Sequence, residues 1–409
     1  MTDAAPALFA AGRGKVLLFC WLGWVFDFYD LILFAFTKRA VAADLGLELY
    51  GGVAWIEGWS LLATAVGGLA VGRLADRVGR RQGMVASIVV FSCGALLTGL
   101  AQGYWSLLLA RVVTGLGVGG EWGIGHAVVA EHWSGRQRDR VHGILQAGSP
   151  VAMALAAAIG CFVAPLPGVG WRAVFLASAV LAALALFARR VLPGPDRAVE
   201  RAEPLPVTAL FAPAYRRTSL VLLALLSLHM AGFWCVYAEL PAALMAMHVV
   251  PLADVGWFQI EVNAVHVFAD VAFGFLAARL GRIRVFVAFC LLFAFGHWLV
   301  LLALDSIAAD FSTFTLAIAA MGLGAGTWSC FGALFGAHYP TALRATAAAT
   351  FYAVARGVQL PLKGEVGAVL QRSGSFAPAL WIGIGCALGS AAVVLLLPRR
   401  VASGEDIVG

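Results

Sequence analysis

The chain has 409 residues, 62% of them hydrophobic and 12% charged, with a net charge of +6 and a mean hydropathy of +0.90. No water-soluble globule buries that much apolar surface, so lipid must solvate most of the chain. A positive balance would suit nucleic acid, but these charges lie in short loops between long apolar runs and read as a topology signal instead.

Apolar runs long enough to cross a bilayer occur at about 16–36, 51–72, 82–102, 104–127, 140–164, 171–192, 217–240, 255–279, 284–304, 311–335, 345–370 and 376–398. Each is near the roughly 20 residues a spanning helix needs. Twelve such runs predict an all-α membrane protein, because a helix satisfies its own backbone in lipid. No short apolar core with a small-residue cleavage site opens the chain, so no cleavable leader is expected. Of the 28 Lys and Arg residues, 21 fall at the termini and in the even-numbered loops. Only 4 lie on the other side, namely Lys38, Arg39, Arg172 and Arg372. That split predicts both termini in the cytoplasm, as for a bacterial inner-membrane protein. The longest loop contains "LPGPDRAVERAEPLP" and divides the chain into an N-terminal half (1–192), a cytoplasmic linker (193–216) and a C-terminal half (217–409). Six spans plus six is the pattern of a two-halved transporter with its site near the midplane. The seven cysteines form no CxxC or Cys/His cluster, so no disulfide, metal or cofactor is expected.

Span 1 contains "WLGWVFDFYDLILFAF" (21–36), with Asp27 and Asp30 in its middle. A carboxylate near the bilayer centre costs about 2.5–3.5 kcal/mol on insertion scales. Two of them about 4.5 Å apart along one helix face cannot easily ionise together in low dielectric, so one is expected to bind a proton near neutral pH. Proton coupling and a structural ion pair with an Arg elsewhere are both open. After span 2 comes "GRLADRVGRR" (72–81), with Gly72, Asp76, Arg77, Gly79 and Arg80; the second half has the weaker "AARLGRIR", where Ala278 replaces the acid.

In span 4, Arg111, Gly115, Val118 and Trp122 share a stripe with Glu121 beside it. Arg111 is the obvious partner for the span 1 carboxylates, and Glu121 is a second protonation candidate. "GLGVGG" follows no strand, so it reads as a helix-packing face and not a dinucleotide loop. Gln146 in span 5, Tyr237 in span 7 and Trp328 in span 10 are weaker ligand candidates, as is Glu57 in span 2. His229 and His297 read more simply as satisfied core histidines. In span 8, Asn263, His266 and Asp270 share a face; ligand contact and structural pairing are both open. In span 11, Tyr352, Arg356, Gln359 and Lys363 fall on one face. Two cations with a phenol and an amide suit an anion, and Arg grips a carboxylate with two parallel hydrogen bonds. Lys363 lies within snorkelling reach of one membrane surface.

The loop "GRLADRVGRR" resembles the signature loop between spans 2 and 3 of the major facilitator superfamily. "WLGWVFDFYD" resembles the first span of its sialic acid and monocarboxylate (lactate) proton symporters, and "ARVVTGLGVGGEWG" (110–123) resembles their fourth. "YPTALRATAAATFYAVARGVQ" (339–359) is similar to the loop and eleventh span that these share with aromatic-acid and metabolite symporters. The resemblance covers essentially the whole chain. It implies two pseudo-symmetric six-helix halves, a gating role for the Gly72–Arg80 motif, and proton-coupled symport of a small organic anion (a monocarboxylate or acidic sugar) by a monomer. A proton-driven exporter is the alternative, built on the same carboxylates. A membrane enzyme is not expected, because the sequence offers no nucleophile–base set and no metal-ligand spacing.

Overall fold

In the computed structural model, residues 12–133, 135–181, 206–237, 239–247, 250–304 and 311–398 are described, and every regular element among them is helical. The first half runs α1 Arg13–Leu45, α2 Ala54–Val78, α3 Arg80–Gly99, α4 Tyr104–Val118, α5 Glu121–His132, α6 Gly135–Gln146, α7 Gly148–Ala158 and α8 Gly170–Ser178. The second runs α9 Arg216–Val236, α10 Leu240–Met247, α11 Leu252–Leu280, α12 Arg282–Ala303, α13 Phe311–Ala325, α14 Ser329–His338, α15 Thr341–Gly357, α16 Gln359–Ser373 and α17 Ala377–Val394. Among the described residues, ten helical segments are long and apolar enough to cross a membrane. The sixth and eleventh predicted spans are not among them. The sixth is described only to residue 181, so its end and most of the predicted linker lie outside the described residues. The eleventh is divided at Val358 into α15 and α16.

Helix α1 overshoots the apolar run that predicted it. Its 33 residues make about 50 Å at 1.5 Å per residue. Val41 and Ala42 are buried, which continues the helical apolar face until Gly46 caps the end with φ 64°. Lys38 and Arg39 are therefore helical, not in a loop as the sequence suggested.

Span 4 is α4 followed by α5, broken at Gly119–Gly120. Its glycines do pack helices together. A Cβ on Gly115, Gly117 or Gly119 would overlap Ser60, Phe91 or Thr64 of the neighbouring helices, the close approach that small residues allow in membranes. The second half repeats the device. Gly-Leu-Gly-Val-Gly at 115–119 recurs as Gly-Leu-Gly-Ala-Gly at 322–326, where Gly324 presses on the Phe293 backbone. The loop motif recurs too: Gly72, Arg77, Gly79 and Arg80 correspond to Gly274, Arg279, Gly281 and Arg282. Gly79 (φ 106°, ψ 151°) and Gly281 (φ 91°, ψ 139°) turn the chain in the same glycine-only region.

The halves meet where α6 and α7 lie on α11, and where α15 and α16 lie on α2. At the first crossing a Cβ on Gly143 would come 2.7 Å from the Asp270 carbonyl, and one on Gly274 would come 2.7 Å from that of Asp139. Arg282 Nε donates to Asp139 Oδ1 at 2.7 Å and ties this crossing. At the second, Gly72 comes close to Ala349, and both line a cavity of about 330 Å³. Arg73, Arg77 and Arg80 line its mouth, and it reaches inward to Trp122 and Tyr352. At the end of the bundle away from these arginines, Lys38 Nζ lies 3.4 Å from Glu57 and 3.3 Å from Glu239, which closes the halves with charge.

Candidate substrate and proton site

Asp27 and Asp30 are both fully buried, and the fold gives them different company. Asp30 Oδ2 accepts from Arg111 Nη1 at 3.0 Å. The guanidinium carbon of Arg111 also lies 4.8 Å from the Phe34 ring centre and 5.9 Å from that of Phe175. This pair sits wholly inside the first half and is packed on both faces. Arg111 thus serves Asp30, not both span 1 carboxylates as the stripe suggested.

Asp27 points elsewhere. Its charged neighbours include Glu121, Arg356 and Asp30, and neither of its oxygens has a hydrogen-bond partner. Glu121 opens α5 and reaches across to Gly23, one turn before Asp27 on α1, where a Cβ would overlap its carboxylate. Both Glu121 oxygens also lack partners; the nearby Ser87 hydroxyl is spent on the Gly117 carbonyl at 2.5 Å. Arg356 enters from the other half. Its Nη2 donates to the Tyr352 hydroxyl at 2.6 Å, while Nε and Nη1 are buried without an acceptor. Two acids and one guanidinium are therefore brought together across the interface with most of their hydrogen-bonding capacity unspent. Buried charge of this kind is costly and marks a functional centre by default.

Aromatic rings wall this centre. Arg356 lies 4.9 Å over Trp234 and 5.0 Å over Tyr352. Trp122 stacks on Tyr352 at 4.4 Å and 14°, and Trp24, Phe28 and Trp234 form a chain at 5.1 and 6.4 Å. Gln146 accepts from Trp122 Nε1 at 3.3 Å and fixes that ring. Gln359 is buried, with Nε2 on the Ala355 carbonyl at 3.0 Å and Oε1 free of partners. The side chains of Lys363 and Asp76 lie outside the described residues.

The span 8 candidates form a separate group inside the second half. Asn263 Nδ2 donates to the Gln259 carbonyl at 2.6 Å. His266 Nε2 lies 3.5 Å from Asp270 Oδ2, and Ser329 donates to Asp270 Oδ1 at 2.8 Å. None of these lines the 330 Å³ cavity. Tyr237 faces His266 with rings 6.0 Å apart. Trp328 packs 4.8 Å from His229, whose Nε2 meets Thr327 at 2.9 Å.

Sequence reasoning did not single out Trp234, although "GFWCVY" advertised aromatic density on span 7. Nor did it find the Lys38 cluster, or the His126–His142 pair with Nδ1 atoms 2.8 Å apart. Those contacts join residues from different helices and carry no local signal.

Two helical halves meeting at a buried, charge-bearing centre have the architecture of a membrane transporter. Residues 18–260 match the Major Facilitator Superfamily, and the chain belongs to it. A "Putative metabolite transport protein" of Haemophilus influenzae is 31% identical over 84% of this chain and 86% of its own length. The 3-(3-hydroxy-phenyl)propionate transporter of Escherichia coli is 29% identical over 87% of each. Among solved structures, the proton:xylose symporter XylE bound to 6-bromo-6-deoxy-D-glucose superposes with a TM-score of 0.74. It covers 94% of this chain and 95% of its own, and its 15% identity makes this a likeness of fold.

Proposed function

We propose that this protein is a proton-coupled symporter that imports a small organic anion, a monocarboxylate, by alternating access. It works as a single chain in a bacterial inner membrane with both termini in the cytoplasm. The observation that carries this reading is the unfinished hydrogen bonding of Arg356, whose Nε and Nη1 are buried without an acceptor. Each two-bonded edge of the guanidinium pairs Nη2 with Nε or with Nη1, and Nη2 keeps a second N–H beyond the one given to Tyr352, so one fork stays open to a carboxylate. The relative named for a phenylpropionate supports a carboxylate as the substrate class, and the aromatic walls suit an apolar body behind it.

Charge balance supplies the coupling. In the empty site Arg356 offsets Asp27, and one proton neutralises Glu121. An incoming anion takes Arg356 and strips Asp27 of its counter-charge. Asp27 then binds a proton from the same aqueous phase, so anion and proton enter together, and loss of one weakens retention of the other. The Asp30–Arg111 pair is the fixed support beside this exchange. The cavity at the basic end is the cytoplasmic vestibule, and Arg73, Arg77 and Arg80 draw the anion out through it.

Proteoliposomes test the reading with labelled lactate, sialic acid and 3-(3-hydroxyphenyl)propionate. An acid-outside gradient should drive accumulation of at least one, and a protonophore should abolish it. Accumulation only under an acid-inside gradient would make the protein an exchanger and overturn the proposal. A C-terminal reporter fusion should read out as cytoplasmic.

A further inference from the structure

His266 and Asp270 are buried, yet nothing in the coupling scheme uses them. Asp270 is fully buried on α11. Ser329 of α14 lies 2.8 Å from its Oδ1 and 3.1 Å from its own carbonyl. Oδ2 has no hydrogen-bond donor and faces His266 Nε2 at 3.5 Å. Neither His266 ring nitrogen makes a close side-chain hydrogen bond; its polar neighbours are Asp270 and the Ala325 backbone. An isolated carboxylate is costly in a bilayer core, and a proton shared by this pair, on Asp270 Oδ2 or on His266 Nε2, offsets that cost. Either placement leaves the pair neutral; removing the proton leaves one uncompensated negative charge.

Among the described residues, no Lys or Arg is paired with Asp270. α9 presents His229 and, just past its end, Tyr237, and α14 presents Ser329. On α6 the nearest charges are Asp139, already joined to Arg282, and Arg140, which lies over Phe275. The charged neighbours of Asp27 include Glu121, Arg356 and Asp30, so the first centre is a different one. The turn that carries Asp270 also touches the opposite half, because its carbonyl backs directly onto Gly143 of α6. A change of charge here therefore acts on the crossing that must shift when the halves rock.

We propose that His266 and Asp270, supported by Ser329, form a second proton-binding site in the C-terminal half, so that two protons accompany each substrate anion. The inference rests on the symport reading and adds a consequence that reading lacks. One proton with a monoanion moves no net charge, whereas two protons move one positive charge inward per cycle.

The test uses wild-type proteoliposomes and whichever of the three monocarboxylates accumulates under an acid-outside gradient. With no pH gradient, an inside-negative potassium diffusion potential should still drive uptake. With the potential held at zero, one unit of pH should give an accumulation ratio of about a hundredfold, against about tenfold for a single proton. Asp270→Asn and His266→Gln should each become insensitive to potential and fall to about tenfold per pH unit. Potential-independent wild-type uptake, or a variant that keeps the wild-type ratio, overturns the second site and leaves symport standing. If neither variant folds, a wild-type ratio of about tenfold per pH unit still overturns the second site. Absence of any gradient-driven uptake in the wild type instead overturns the symport reading itself.

Discussion

Replacing Arg356 with Ala removes the two N–H groups that the empty site leaves without acceptors. A hydrogen bond to a charged group contributes about 1.5–3 kcal/mol. At 1.4 kcal/mol per tenfold, losing one such bond weakens binding at least about tenfold, and losing both weakens it by about a hundredfold or more. Arg356→Lys keeps the charge but not the planar fork, and it should recover only a small part of the loss. Tyr352→Phe is the milder control. It removes the acceptor of Nη2 at 2.6 Å and leaves the other two N–H groups for the ligand, so its affinity should fall less than that of Arg356→Ala. Isothermal titration of purified protein with an accumulated monocarboxylate measures affinity, and a melting curve on the same sample measures folding. Arg356 also stacks on Trp234 and Tyr352, so a purely structural role is a real competitor. If the Ala variant melts at lower temperature but binds within about threefold of wild type, a difference of roughly 0.7 kcal/mol, the arginine holds rings and not substrate.

Asp27→Asn should abolish gradient-driven accumulation while counterflow, which needs no net proton movement, survives; unaltered pH-driven uptake would pass the coupling role to Glu121. Lys38→Met removes the cation that Glu57 and Glu239 share across the halves, and removing one partner from a buried ion pair is strongly destabilising. Its melting temperature should fall, and an unchanged value would show that the cluster does not hold that end closed. Gly117→Leu cannot fit against the Phe91 backbone, so it should fail to give a monodisperse peak in detergent; a normal peak would refute the glycine packing of α3 on α4.

The spans and the crossing glycines were legible because lipid enforces a local rule: every apolar run of the right length becomes a helix, and clustered glycines on it become contact faces. The polar stripe of α15 was legible for the same reason, since Tyr352 and Arg356 are one turn apart and do touch. What periodicity could not supply was the partner on another helix. It proposed Arg111 for both aspartates, whereas three residues of helical rotation send Asp30 to Arg111 and Asp27 to Glu121 and Arg356. It left ligand contact and structural pairing open for Asn263, His266 and Asp270, whose neighbours include Tyr237 just past α9 and Ser329 of α14. It left Lys38 in a loop because the apolar run ended there, although Val41 carries the helix on. The recurrence of 115–119 at 322–326 was visible in the letters alone and would have located both mid-membrane helix breaks.

The two glycine corners, Gly79 and Gly281, show how a duplicated architecture ages. The backbone turn has been kept in both copies because only glycine accepts those angles, whatever surrounds it. The acid beside it has not: Asp76 in the first copy answers to Ala278 in the second. Arg282, the second copy's equivalent of Arg80, has instead found its carboxylate on the opposite half, at Asp139. Shape and charge at this corner have thus been inherited separately. The same backbone corner stands beside different charges in the two halves, and the second copy's arginine is the one seen to tie its own half to the other.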